Sequence, residues 1–312
     1  MTPRSILAVT DLSVRADLAL SRAALLAVEH DTTLKLLYAT PAGVSPRADA
    51  ACRLAHQALQ LGQRHGLCVR PLSQTMNTLE DVASEARCAD LVVMGAMPEC
   101  SLRSLLCGQP VERLLRMARR PILVTRQKAE APYRRLLVAV DFSDASRKLV
   151  EFAFALNQSA QVELFHALST ANEGKLRCAE VSEHAIKAYR HACRRYAQDR
   201  MFWLTDSSDA RRNRVYSAIG HGDPARQTVV QQQHGGAELI VIGKRPASAV
   251  SDFVFGSVAR RVLRHATADV LVVPHDVQPA SRAAAVRRLD SEPRANRRVR
   301  AGAACSSAVN AR

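Results

Sequence analysis

Short, continuous runs of aliphatic and β-branched residues alternate along this chain with longer stretches in which apolar positions recur every three or four residues. Runs such as LIVIG (239–243) and VLVVP (270–274) have the pattern of strands covered on both faces. Between Leu239 and Pro274 the order is strand, glycine, loop, a second glycine opening a helix with Val258, Val262 and Leu263 at helical spacing, then strand. That order predicts two parallel strands joined by a crossover helix. Backbone N–H groups at such a helix start, beside Gly243 and Gly256, can bind an anion such as phosphate.

The same pattern occurs earlier. In residues 91–124, Gly95, Pro98 and Gly108 each stand 148 positions before Gly243, Pro246 and Gly256. A second echo, RSILAVTDLS (4–13) with RRLLVAVDFS (134–143), sets Asp11 opposite Asp141 at an offset of 130. The chain therefore reads as a tandem duplication whose second copy is 18 residues longer between the two echoes.

In the first copy the periodicity predicts a strand at 5–10, a helix at 14–29 capped by Ser13, and a strand TLKLLYAT. A helix follows at 47–66 with Leu54, Ala55, Ala58, Leu59 and Leu61 inward, then a weak strand near 68–74, a helix at 78–87 and the glycine unit. The polar stretch QKAEAPYRR (127–135) reads as an interdomain linker. The second copy repeats the order with RLLVAVD, a helix at 144–158, QVELFHA and a long helix at 175–199. MFWLTDSSDARRN holds much of the extra length, and VYSAIG precedes a helix opened by Pro224.

Such alternation predicts an α/β fold: two tandem doubly wound, five-stranded parallel sheets, domain 1 over 1–127 and domain 2 over 133–276, with a tail over 277–312. With strand order 3-2-1-4-5 the sheet reverses between its first and fourth strands, and ligands bind at the carboxyl ends there. Those ends carry Asp141 and Gly243 in the second copy, and Asp11 and Gly95 in the first.

Composition narrows the class. A length of 312 residues suits about two domains, and no apolar run approaches the roughly 18 residues of a membrane span. The first residues lack signal-peptide architecture, and eight scattered cysteines without a CxxC pair suit reduced thiols, so a soluble, cytoplasmic protein is expected. Of the net charge of +15, residues 280–312 carry +6 on eight arginines, Asp290 and Glu292. With few large apolar residues, that tail is predicted to be disordered, either a plain solvated tail or a weak, salt-sensitive contact for nucleic acid or another polyanion.

The duplicated glycine units and their aspartates resemble the universal stress proteins of the UspA family over about residues 3–276. The family's nucleotide-binding branch has G-x2-G-x9-G-(S/T) preceded by an aspartate ending the first strand. GKRPASAVSDFVFGS is similar, with Pro246 in place of the middle glycine, and the turn IGHGDP (219–224) also resembles a family segment. The resemblance implies a non-catalytic stress-response protein that binds ATP or a related adenine nucleotide, with magnesium, in domain 2. It implies that Asp141 faces the adenosine, that Ala167 contacts adenine through its backbone, and that Gly243, Gly256, Ser257 and Val258 hold the phosphates. In the first copy Asp11, Gly95 and Gly108 match, while Pro98 and Gln109 depart from the pattern, which marks the poorer site. The last strands, PILVT (121–125) and VLVVP, are the family's pairing strands, which implies pairing of the two copies within the chain or a homodimer.

Other chemistries lack parts. No lysine precedes Ser257 as a P-loop requires, GxSxG is absent, and His221 lies outside any HxGH turn. His166 reads as a strand-end polar residue rather than a base. Asp144 reads as a helix cap more readily than as a metal ligand shared with Asp141, and His184 with His191 lacks further zinc ligands. A slow ATPase or phosphotransfer enzyme using Asp141, and an interaction module with empty pockets, remain as the alternatives to a nucleotide-binding regulator.

Overall fold

The computed structural model describes residues 2–40, 45, 47–72, 78–96, 110–206, 215–244 and 258–277. In the first half, strands β1 (Ser5–Thr10), β2 (Thr33–Tyr38), β3 (Val69–Pro71), β4 (Leu91–Gly95) and β5 (Ile122–Thr125) alternate with helices α1 (Val14–Glu29), α2 (Ala50–His65), α3 (Leu79–Ala86) and α4 (Pro110–Ala118). The second half has β6 (Arg135–Ala139), β7 (Gln161–Leu168), β8 (Val215–His221), β9 (Leu239–Lys244) and β10 (Asp269–Pro274). Its helices are α5 (Asp144–Leu156), α6 (Ala171–Cys178), α7 (Glu183–Asp206), α8 (Pro224–Gly235) and α9 (Val258–His265).

All ten strands form one sheet in the order β3-β2-β1-β4-β5-β10-β9-β6-β7-β8. Each half is parallel within itself and has the order 3-2-1-4-5. The halves meet through β5 and β10, the single antiparallel pairing of the sheet among the described residues. As the resemblance implies, the two last strands pair within the chain, satisfy one another's edges and fuse the two five-stranded sheets into one. The outer edges fall to β3, only three residues long, and to β8, whose Tyr216 is exposed.

Helices cover both faces. One apolar cluster joins α1, α2, α5 and α7 to residues such as Ile6, Leu123, Val138 and Leu271; the other joins α3, α4, α8 and α9 to Val92, Ile122, Ile240 and Val272. Both layers run through the two halves without a break. The strand-to-helix turns follow local chemistry. Ser13 caps α1 by accepting the Ala16 N–H at 3.3 Å, Asp223 caps α8 by accepting the Arg226 N–H at 2.9 Å, and α2 and α8 end on left-handed Gly66 and Gly236.

Three expectations change. Helix α2 buries Leu54 and Ala58 but exposes Ala55 and Leu59, because its buried stripe is narrower than the apolar pattern suggested. The long helix expected over 175–199 is two helices: Glu180 adopts a left-handed φ of 55°, and Ser182 accepts the Ala185 N–H to open α7. Helix α7 then runs past the expected end at 199 through Met201–Asp206, into the stretch read as holding much of the extra length, because Met201 and Leu204 bury against the sheet. Residues 207–214 and the tail 278–312 lie outside the described residues.

The linker is tied down. Asp269, fully buried at the start of β10, accepts N–H bonds from Arg126 (2.7 Å) and Gln127 (3.0 Å) and the Tyr133 hydroxyl at 2.5 Å. Arg22 of α1 stacks 3.9 Å from the Tyr133 ring centre, lies 3.4 Å from Asp269 and donates to the Ala131 carbonyl. Burial first, and the Asp269 charge second, push the Tyr133 hydroxyl well above its ordinary pKa, so it stays a donor.

Candidate functional site

The strand register brings the predicted residues together. Val9 pairs with Met94, and Ala139 with Ile242. Asp11 and Gly95, and likewise Asp141 and Gly243, therefore stand at the carboxyl ends of adjacent strands, where the order of each half reverses. Ala139 also pairs with Phe165, which puts Ala167 level with Asp141 on the neighbouring strand. Val258 opens α9 and is 39% exposed. Gly108, Gly256 and Ser257, with Pro98, Gln109 and Pro246, lie outside the described residues.

Both aspartates fold back on their own turns. Asp11 Oδ1 accepts the Ser13 N–H at 2.9 Å, and Asp141 Oδ1 accepts the Ser143 N–H (3.0 Å), the Ser143 hydroxyl (2.6 Å) and the Ser146 hydroxyl (3.0 Å). The next residue in each copy, Leu12 or Phe142, has a φ of 61°. A side chain in that left-handed region costs about 1–2 kcal/mol, and the Asp–Ser bonds offset it by locking the turn. The cap at α5 is Ser143, and Asp144 is its first helical residue. Asp144 therefore does not cap; its charge sits favourably at the helix amino end instead.

The halves differ at the next strand. In the first half β1 and β2 stay paired through Thr10 and Tyr38, and the Ala39 N–H closes the gap by donating to the Thr10 carbonyl at 2.9 Å. In the second half the ladder ends at Ala139–Phe165, followed by the Val140 N–H to the Phe165 carbonyl. The Val140 carbonyl, which matches that of Thr10, accepts instead from His166 Nδ1 at 2.8 Å. Successive strand residues turn their N–H and C=O groups to opposite edges, so those of Ala167 share the Phe165 edge and face the cleft beyond that last rung. Burial chiefly lowers the His166 pKa, against the Val140 bond and the Asp141 charge, which keeps a neutral ring with its proton on Nδ1.

The residue composition of this rim was not legible in the sequence. The Phe142 ring lies 4.1 Å from that of His166, centre to centre, and 6.3 Å from Tyr196 of α7, edge-on. These rings offer a stacking surface beside Ala167. Only the apolar residue following Asp141 could have hinted at it. Further out, Glu173 of α6 is buried and binds Arg190 Nη2 at 2.7 Å and His221 Nε2 at 2.7 Å. Those two bonds, Arg190 first, hold its carboxyl down to about 2. Asp223, in the IGHGDP turn, takes both Arg261 amino groups at 2.6 and 2.7 Å and so ties α8 to α9.

The two strand-end glycines also have packing roles. A Cβ on Gly95 would come within 3.0 Å of the Arg15 carbonyl oxygen in α1, and one on Gly243 within 2.7 Å of His275 Nε2 and 2.9 Å of Leu149 Cδ1. Among the described residues no group of three or more His, Cys, Asp or Glu side chains is placed to hold a metal ion, and no helix is long and apolar enough to cross a membrane.

Comparison with known proteins agrees with this architecture. Universal stress protein YxiE of Bacillus subtilis (strain 168) is 26% identical over 147 residues, 45% of this chain and 99% of that protein. A universal stress protein of Mycolicibacterium smegmatis (strain ATCC 700084 / mc(2)155) is 24% identical over 300 residues, 87% of this chain and 97% of its own length. The crystal structure of a universal stress protein from Archaeoglobus fulgidus DSM 4304 shares the fold with a TM-score of 0.60 at 16% identity, covering 86% of this chain and 96% of that one. Residues 132–274, the half built on β6 to β10, match the family described as Usp, the Universal stress protein family. That match assigns a universal stress protein domain to residues 132–274, and the likeness in fold extends over both halves.

Proposed function

We propose that the chain is a non-catalytic, cytoplasmic stress-response protein whose second half binds ATP or a related adenine nucleotide at the carboxyl ends of β6, β7 and β9. One observation carries the reading: the β6–β7 ladder stops short of Ala167, because His166 takes the carbonyl that Ala39 takes in the first half. The Ala167 backbone can then receive an adenine edge, with Phe142 and His166 beside it for stacking. In this reading Asp141 holds the turn facing the adenosine, and Gly243, Gly256, Ser257 and Val258 border the phosphates. Magnesium arrives with those phosphates. Asp11, Gly95 and Gly108 form the poorer counterpart, its strand gap closed by the Ala39 bond.

Titration with fluorescently labelled ATP tests this. Wild type is expected to bind, Asp141→Ala to lose about tenfold or more in affinity, equivalent to roughly 1.4 kcal/mol, and Asp11→Ala to bind as wild type does. Absence of binding by wild type, or equal losses in both variants, overturns it. A second reading, an interaction module with empty pockets, draws on the packing roles of Gly95 and Gly243; nucleotide retained through purification would exclude it. Phosphate release that depends on Asp141 would instead favour the slow ATPase or phosphotransfer enzyme.

A further inference from the structure

The β5–β10 seam is built like a two-fold dimer interface inside one chain. Its register pairs Ile122 with Val272, Leu123 with Leu271 and Val124 with Val270. Positions 148 apart are duplicates, so Leu123 faces its own counterpart and the pairs on either side exchange roles, as about a two-fold axis. Those six residues are apolar in both copies and cannot tell one half from the other.

Helices α4 and α9 follow the same symmetry. Glu112 of α4 and Arg260 of α9 are also duplicates at the 148 offset, and they meet across the seam. The Arg260 guanidinium grips the Glu112 carboxylate at 2.8 and 3.1 Å, and Lys244 at the end of β9 reaches it at 3.3 Å. The Glu112 side chain is 4% exposed and that of Lys244 9%. Burial pushes the Glu112 carboxyl up, but the Arg260 bond and the Lys244 charge outweigh it and hold the acid ionised. The position matching Lys244 in the first copy is Ala96, so the charge arrangement is one-sided.

At a two-fold axis a residue meets its own copy. Two first halves joined through β5 would bury Glu112 against Glu112, and two second halves joined through β10 would bury two Arg260 and two Lys244 side chains together. We propose that the Glu112–Arg260–Lys244 cluster is a partner selector, which makes the seam accept only one half of each kind. The partner this surface fits is the other half of the same chain, and a second copy of the same half is rejected by buried like charge. The apolar strand pairs supply adhesion, and the charge cluster supplies the choice. This inference is independent of whether any nucleotide binds.

The test uses four full-length proteins: wild type, Glu112→Arg, Arg260→Glu and the double exchange. Each single variant sets like charges face to face, whereas the double exchange restores one acid between two cations. Amide exchange of Ile122, Val124, Val270 and Val272, the residues whose N–H groups alternate toward the seam, reports the seam, and the β1–β2 amides report the first half's own sheet. In each single variant the seam amides are expected to exchange about tenfold faster or more, with β1–β2 unchanged. Light scattering should show Arg260→Glu self-associating, since two second halves then match two acids with two Lys244 side chains, and Glu112→Arg staying monomeric, since every pairing left to it joins cations. The double exchange should return the seam to within about threefold of wild type. Seam protection retained by both single variants, or a double exchange as open as they are, overturns the proposal. If a single variant fails to fold, the double exchange decides: wild-type protection supports the selector, and failure to fold refutes it.

Discussion

At the scale of single residues, the chain spends its buried charges on holding parts in place. Asp269 is fully buried and supports the linker through two backbone N–H groups, the Tyr133 hydroxyl and Arg22. Asp269→Ala leaves the Arg22 cation and those donors behind, so a loss of about 3–5 kcal/mol is expected in urea unfolding, against about 1–2 kcal/mol for Tyr133→Phe. Glu173 gives a pH signature. Its folded pKa of about 2 lies below the ordinary 4.5, so its contribution is present above pH 4.5 and is lost as pH falls from there toward 2. Glu173→Gln should therefore cost about 1 kcal/mol at pH 6 and almost nothing near pH 2.5, read as the urea midpoint of both proteins at each pH. None of these partnerships was legible in the sequence. Asp269 and Tyr133 stand 136 residues apart and Glu173 and His221 48 apart, and neither spacing has a local signature.

Among elements, strands and helix caps were legible because their causes are local. Ser13, Asp223 with Pro224, and the runs LIVIG and VLVVP mark α1, α8, β9 and β10 from a few neighbouring residues. The break between α6 and α7 was not, since a left-handed Glu180 is an uncommon conformation tolerated when the flanking helices pack well. The strand-end glycines belong to this scale as well. Gly95→Ala pushes a methyl against the Arg15 carbonyl, part of the α1 backbone, whereas Gly243→Ala meets the side chains of His275 and Leu149, which can rotate away. Thermal unfolding should show the larger loss, about 1–3 kcal/mol, for Gly95→Ala. Equal losses would mean that α1 shifts as readily as a side chain does.

In the whole molecule, the pseudo-two-fold axis leaves two related grooves beside the seam. One is filled by the linker. The other is a cavity of about 300 Å³ lined by Thr2, Pro3, Arg120, Phe152, His275 and Val277 among others. Thr2 and Pro3 match Pro132 and Tyr133 at the 130 offset, and His275 matches Gln127 at the 148 offset, so the cavity stands where a second linker would run. A circular permutant that joins Val277 to Thr2 through about five residues, a span of up to roughly 17 Å, and opens the chain between Ala129 and Glu130 should keep the ten-stranded sheet. Its melting temperature is expected within about 5 °C of the parent spanning residues 2–277. Loss of cooperative unfolding would show that the native linker does more than connect.

Sequence alone determined the duplication and the alternation of strands and helices, because periodicity and turn residues act over short stretches of chain, whereas the strand order that places Asp141 beside Gly243 entered as a condition and was fixed by the fold. Tertiary structure decided what long-range contact controls: that the halves share one sheet, that Arg260 finds Glu112 across it, and that His166 rather than Ala167 closes the Val140 carbonyl. A hydrogen bond or an ion pair between distant residues leaves no period in the sequence. Its partners are chosen only once packing has brought the two surfaces together.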